Sequence, residues 1–193
     1  MEDSKPGENM KIITLTKEDE SLVQQAAQIL MDAFREHWPE AWPTIKDAQQ
    51  EILEMLDAER ICRAVIDDQR KLLGIIGGIP QYDGHVWELH PLAIQPEMQG
   101  RGIGKMLVED FEEQVRQQGG LTITLGSDDE DHMTSLSDVN LFVNLWDQVK
   151  NIRNLKHHPY EFYQKMGYVI TGVVPNANGI GKPDIIMSKR VIN

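Results

Sequence analysis

The segment Gln99-Gly-Arg-Gly-Ile-Gly-Lys105 sets three glycines in front of a run of apolar residues at helical spacing. Glycines at that place bare the backbone N–H groups of a helix N-terminus, where unpaired donors and the helix dipole favour a phosphate. A plain glycine-rich turn is the alternative. A P-loop would need Gly at 99 and Ser or Thr at 106, where the chain has Gln99 and Met106; a dinucleotide fingerprint would need Gly at 105, where it has Lys105. Just upstream, Val86-Trp-Glu-Leu-His-Pro-Leu-Ala-Ile94 carries a carboxylate and an imidazole, Glu88 and His90. Regular alternation would put both on one face with Leu92, and Trp87, Leu89 and Ala93 on the other. Pro91 argues against regularity, because proline within a sheet marks an edge or a bulge, and a bulge can turn N–H groups toward a ligand. Glu88 there can act as a base, directly or through one water; pairing with a neighbouring base, and a structural role for His90, stay open. A third cluster, His158-Pro-Tyr-Glu-Phe-Tyr-Gln-Lys-Met-Gly-Tyr168, is a short run dense in aromatic rings, whose commoner role is to pack against a sheet.

Periodicity supplies the elements that must position these groups. Lys11–Thr16 is a first strand, and Leu22, Ala26, Ile29, Leu30, Ala33 and Phe34 recur at helical spacing. A second helix follows Pro43, with Ile45, Ile52, Leu53, Met55 and Leu56 on its apolar side. Strands at Ile61–Ile66, Leu72–Ile79 and His85–Ile94 form successive hairpins, the last pair joined through Asp83-Gly84. A helix from about Gly102 to Gln118 lines up Ile103, Met106, Leu107, Phe111 and Val115, and Gly119-Gly120 ends it. Leu121–Leu125 is a strand that, after this crossover, most simply runs parallel to His85–Ile94. Helices at about Leu136–Leu155 (capped by Ser135 or Ser137) and Pro159–Met166 follow, then strands at Tyr168–Val174 and Asp184–Arg190. The order βααβββαβααββ implies a mixed sheet covered by helices, an α+β architecture.

Composition narrows the function. The chain of 193 residues, 40% apolar, is that of one globular domain over 10–193, with residues 1–9 a flexible N-terminal lead-in. The 31 acidic against 19 basic residues give a net charge of −12, which excludes nucleic acid and anionic membrane surfaces as partners and is compatible with cationic substrates. No apolar run approaches the roughly 18 residues of a membrane span, and the acidic start is unlike a signal peptide, so a cytoplasmic protein is expected. The lone Cys62 fits a reducing compartment and carries no disulfide framework. The six histidines have no ligand spacing, so no metal is implied.

The pattern Gln99, Gly102, Gly104 resembles the pyrophosphate loop of the GNAT acyltransferases, whose backbone amides hold acetyl-CoA. That resemblance implies the GNAT fold: a mixed, mostly antiparallel central sheet with a splayed parallel strand pair and helices on both faces. The segments Trp87–Leu92, Gly119–Asp129, His158–Tyr163 and Pro175–Met187 are more specific, and together they resemble the chromosomal Gram-positive aminoglycoside 6'-N-acetyltransferases from about Met10 to Arg190. These transfer acetyl from acetyl-CoA to the drug's 6'-amine, usually as homodimers. Carried over, the resemblance makes Glu88 the base or substrate anchor, His90 a nearby active-site residue, the Leu92 N–H the donor to the thioester carbonyl, and Tyr163 the general acid. Leu92, Ile94, Gln99, Gly100, Arg101, Gly102, Ile103, Gly104, Lys105 and Tyr163 would contact the cosubstrate. Trp38 would lie on the substrate side, with Asp128, Asp129, Asp131 and Asp184 available to ammonium groups. Residues 41–50, with Trp42-Pro-Thr44, depart from the shorter, more acidic segment of that family, which bears on drug specificity. Two further readings are weighed: the same chemistry on a polyamine or protein amine, and a CoA-binding regulatory protein without turnover.

Overall fold

A computed structural model of the chain describes residues 9–192, so most of the expected lead-in lies outside the described residues. The chain clusters into two compact units, one ending at Gly120 and one beginning at Leu121. The elements occur in the expected order: β1 (Lys11–Thr14), α1 (Glu20–Phe34), α2 (Ile45–Met55), β2 (Ile61–Ile66), β3 (Leu72–Gln81), β4 (Val86–Ile94), α3 (Ile103–Gln117), β5 (Thr122–Asp128), α4 (Leu145–Lys150), α5 (Tyr160–Lys165), β6 (Val169–Val174) and β7 (Asp184–Arg190).

In the first unit β1, β2, β3 and β4 lie side by side, each antiparallel to the next. Side-chain oxygens start two of its helices: Asp19 accepts from the Leu22 N–H, and Thr44 forms a reciprocal capping box with Asp47. The stripes of α1 and α2 bury Leu22, Ala26, Ile29, Leu30, Ala48, Ile52 and Met55 against Cys62, Ala64, Ile75 and Ala93. Ile45 and Leu53, expected on the apolar side of α2, are exposed, because Ala48, Ile52 and Met55 already complete the stripe at helical spacing. On the opposite face Ile103, Leu107, Val108, Phe111 and Val115 of α3 are buried. Glycines let α3 approach closely: a Cβ at Gly74 would meet Ile103 at 3.2 Å, and one at Gly78 would run into the Phe111 ring. Arg63 of β2 and Asp110 of α3 form a two-pronged ion pair at 2.6 and 3.1 Å.

The β3–β4 ladder carries a break in register. Ile76 pairs with Leu92 and Gly78 with Leu89, so Gly77 alone stands opposite both His90 and Pro91. This is the bulge that Pro91 signalled, and the His90–Pro91 peptide is cis. Below it Ile79 pairs with Glu88, and above it Ile75 pairs with Ala93. Counting along β3, Glu88 and Ala93 therefore share the face of α1 and α2, while Leu92 and Ile94 join the face of α3. A regular strand would have put Glu88 and Leu92 on one side; the extra residue separates them.

The second unit has β7 between β5 and β6, again antiparallel. Ile123, Leu125, Ile185 and Met187 are buried on one face. Thr124, Gly126 and Asp128 alternate onto the other, opposite Ser188, Ile186 and Asp184. The helix expected over 136–155 is largely absent: only Leu145–Lys150 is helical. Asp138 and Asn144 take positive φ, and the Asn140 side chain accepts from the Phe142 N–H. Asp and Asn tolerate that conformation and compete with the helix for backbone partners, which apolar spacing alone does not register.

A side chain at Gly77 would strike the His90 carbonyl oxygen and meet the Met55 methyl at 2.7 Å. We expect Gly77→Ala to lower stability by about 2 kcal/mol. At Gly172, where a Cβ would find only ordinary contact at 3.8 Å, the same change should stay within about 0.5 kcal/mol. Urea unfolding midpoints of the two variants check the contrast.

Candidate active site

The helix-terminus site begins where β4 ends. After Ile94 the chain makes a single 3-10 turn over Pro96–Met98, and Gly100 and Gly102 both take positive φ. Their Cβ positions face open space, so glycine is needed there for backbone conformation and not for packing. Gly102 is the N-cap of α3, no side chain caps the helix, and its first turn holds no acidic residue. The first intrahelical bond is donated by Met106 to the Gly102 carbonyl. The N–H groups of Ile103, Gly104 and Lys105 thus have no intrahelical acceptor, and a phosphate matches them in charge and geometry. Arg101 is exposed, Lys105 lies 3.7 Å from Glu109, and the Gln99 amide reaches back to the Ile94 carbonyl at 3.5 Å.

Around the bulge, Glu88 is half-buried and accepts a hydrogen bond from the Gln81 amide at 3.1 Å. His90 points to α2, its Nε2 3.6 Å from Glu51 Oε1. The Trp42 ring lies 6.3 Å from the imidazole, and Phe34 packs edge-on to Trp42 at 4.9 Å. The imidazole foremost, working against burial, holds the Glu51 carboxyl below the usual carboxylate range, with smaller help from Trp42 and Arg60. Trp38 is half-buried in the turn after α1, its N–H bonded to the Phe34 carbonyl at 2.8 Å.

In the second unit Asp128 and Asp184 stand directly opposite each other on β5 and β7, which brings two sequence-predicted carboxylates to one place. Asp128 also accepts from the Asn178 amide. Asp131 is half-exposed beside Lys156 at 4.0 Å. Asp129 sits differently. It is fully buried, and its oxygens accept from the Met133 N–H at 2.5 Å, the Thr134 N–H at 2.8 Å and the Ser137 hydroxyl at 2.6 Å. Burial opposes ionisation, but these donors outweigh it and hold the carboxyl below its usual range. Its contacts make it the organiser of loop 129–137 and leave it no face toward an ammonium group.

Tyr163 is buried on α5, between Phe162 at 5.0 Å and Tyr168 at 5.7 Å. The phenol is protonated at neutral pH, as an acid requires, and burial pushes its pKa up further. The start of α5 is tied to the end of β5 by the buried His158. Its Nε2 donates to the Asp128 carbonyl at 3.1 Å, and Nδ1 accepts the Tyr160 N–H at 3.2 Å. Asn154 closes the arrangement by accepting the His158 N–H and donating to its carbonyl, at 2.7 and 2.9 Å.

The model of the acetyltransferase (GNAT) family matches residues 23–136, more than half of the chain. The chain belongs to the GNAT acetyltransferase family, and its fold is the α+β GNAT fold. Among solved structures, an aminoglycoside 6'-N-acetyltransferase complexed with coenzyme A is 42% identical with a TM-score of 0.87, over 95% of this chain and 98% of that one. The aminoglycoside 6'-N-acetyltransferase from Enterococcus faecium is 43% identical with a TM-score of 0.85, at the same coverage. An aminoglycoside 6'-acetyltransferase type Ii is 37% identical with a TM-score of 0.72. Among curated protein sequences none matches significantly. In this GNAT chain, sequence reasoning singled out Glu88, His90, the glycine loop and Tyr163 as candidates. It passed over Glu51 and Gln81, whose meeting with His90 and Glu88 depends on tertiary packing, and it noted Trp42 only as a departure in length and charge.

The Asp129 cluster yields a pH prediction. Because its folded pKa is depressed, its contribution is complete above the unfolded value of about 3.9 and is lost as pH falls through the folded one. Asp129→Ala should destabilise the loop by about 3 kcal/mol at neutral pH, the donors being left without an acceptor. Amide exchange of Met133 and Thr134 checks it: wild-type protection should fall in acid, and the variant should lack it at neutral pH.

Proposed function

We propose that this GNAT acetyltransferase transfers acetyl from acetyl-CoA to the 6'-amine of aminoglycosides, and so acts in antibiotic resistance. The observation that carries the reading is the 42–43% identity, over 95% of the chain, to two aminoglycoside 6'-N-acetyltransferases, one of them holding coenzyme A. Acetyl-CoA supplies the activated acetyl group as a thioester. Its pyrophosphate fits the uncapped turn at Gln99–Lys105, where the N–H groups of Ile103, Gly104 and Lys105 are unpartnered within the helix and two open glycines bare the backbone. Beyond the bulge, Leu92 and Ile94 present backbone groups to the acyl arm, and the Leu92 N–H stabilises oxyanion charge.

An amine attacks only when neutral. Glu88, half-buried and held by Gln81, takes its proton directly or through one water, or anchors the amine while water does so. Tyr163, protonated at neutral pH like any phenol, donates to the departing thiolate. No protein nucleophile is needed, and Cys62 is buried with its thiol pushed up to about 12, unsuited to attack. The opposed Asp128 and Asp184 support a cationic substrate, since like charges directly across a ladder repel and a nearby ammonium relieves that repulsion. Trp38 and Asp131 complete the substrate side. Residues 10–193 act as one catalytic domain, in the cytoplasm, as a homodimer. No helix among the described residues is long and apolar enough to cross a membrane.

Free-thiol release from acetyl-CoA tests the reading with kanamycin A beside its 6'-hydroxyl counterpart. Release with the 6'-amine alone is expected, and release with neither drug would overturn it. Glu88→Ala and Tyr163→Phe should each lower kcat/KM by about a hundredfold or more. Unchanged turnover in both would remove the assigned roles.

A further inference from the structure

We propose that Glu51 is a positioning residue that fixes the His90 imidazole at the bulge; this rests on the reading of His90 as an active-site residue. The His90 side chain is 42% exposed, and a ring that open turns easily about its last torsion. Two neighbours restrict it. Trp42 closes one side at 6.3 Å and is itself braced edge-on by Phe34. Glu51, with a side chain only 20% exposed, faces Nε2 at 3.6 Å from one turn of α2.

That separation exceeds a direct hydrogen bond, so the ring is aligned by charge and not by a short bond. The pair is half-buried, where attraction is screened less than in water. A carboxylate only accepts, so the nitrogen turned to it must carry hydrogen. In the neutral ring Nδ1 then holds the lone pair, which leaves an acceptor for an amine N–H or an ordered water. Besides the imidazole, the charged group that bears on Glu51 is Arg60, just ahead of β2. The depressed Glu51 carboxyl, lowered foremost by His90, agrees with the geometry.

Two measurements test the proposal, and the first needs no substrate. In the free protein, carbon-13 titration of the Glu51 carboxyl should show its midpoint rise in His90→Ala. An unmoved midpoint would overturn the coupling whether or not any drug is acetylated, so failure here is separable from failure of the aminoglycoside reading. In steady state, Glu51→Ala should lower kcat by about tenfold or more with KM within about twofold. Glu51→Asp, which keeps a carboxylate facing Nε2, should recover most of that loss. Equal loss in both variants, or loss in neither, would contradict a positioning role.

Discussion

The first unit's chemistry depends on one constraint: a single glycine must span two residues of the neighbouring strand. Gly77 stands opposite both His90 and Pro91, and nothing larger fits beside the His90 carbonyl and the Met55 methyl. From that mismatch the placement of the neighbouring groups follows. Glu88 and His90 stay on the face of α1 and α2, where Gln81 and Glu51 meet them, while Leu92 and Ile94 turn to the face of α3. The strand thus carries the carboxylate and imidazole on one side and the Leu92 and Ile94 side chains on the other, and runs on through a tight turn into the uncapped N-terminus of α3.

The second unit solves a different problem, holding an irregular stretch in one shape without a long helix. Two buried polar residues do most of this. Asp129 gathers the Met133, Thr134 and Ser137 donors, and His158 bridges the end of β5 and the start of α5. Buried polar groups are stable only when satisfied, and each of these is. The consequence for function is placement: Asp128 stands opposite Asp184 on one ladder, and Tyr163 is held on a short helix of six residues that could not persist without such anchoring.

Much of this was legible in the sequence because the signals were local. Asp83-Gly84 marked a hairpin, Pro91 a break in a strand, and three glycines before an amphipathic run an open helix start; each is a case where residue type dictates backbone conformation. The strands at 61–66 and 184–190 were legible to the residue. What escaped was non-local or competitive. The apolar spacing of Val139, Phe142, Trp146, Val149 and Ile152 resembled a long helix, but asparagine and aspartate at positive φ broke it, and Phe142 and Trp146 are exposed. Asp129 looked like its acidic neighbours, and only tertiary packing distinguishes a loop organiser from a carboxylate at the surface. Glu51 is 39 positions from His90 in the sequence, and no spacing rule joins them.

The central claim is that the break in β4 and the bare start of α3 hold the acyl donor. A nitrogen-15 amide titration of the labelled protein with coenzyme A tests it most directly. The largest shifts should fall on Leu92, Gly102, Ile103, Gly104 and Lys105, and 3',5'-ADP, which lacks the pantetheine arm and the pyrophosphate, should leave Leu92 unmoved. Binding that shifts other amides while these stay still would contradict the account.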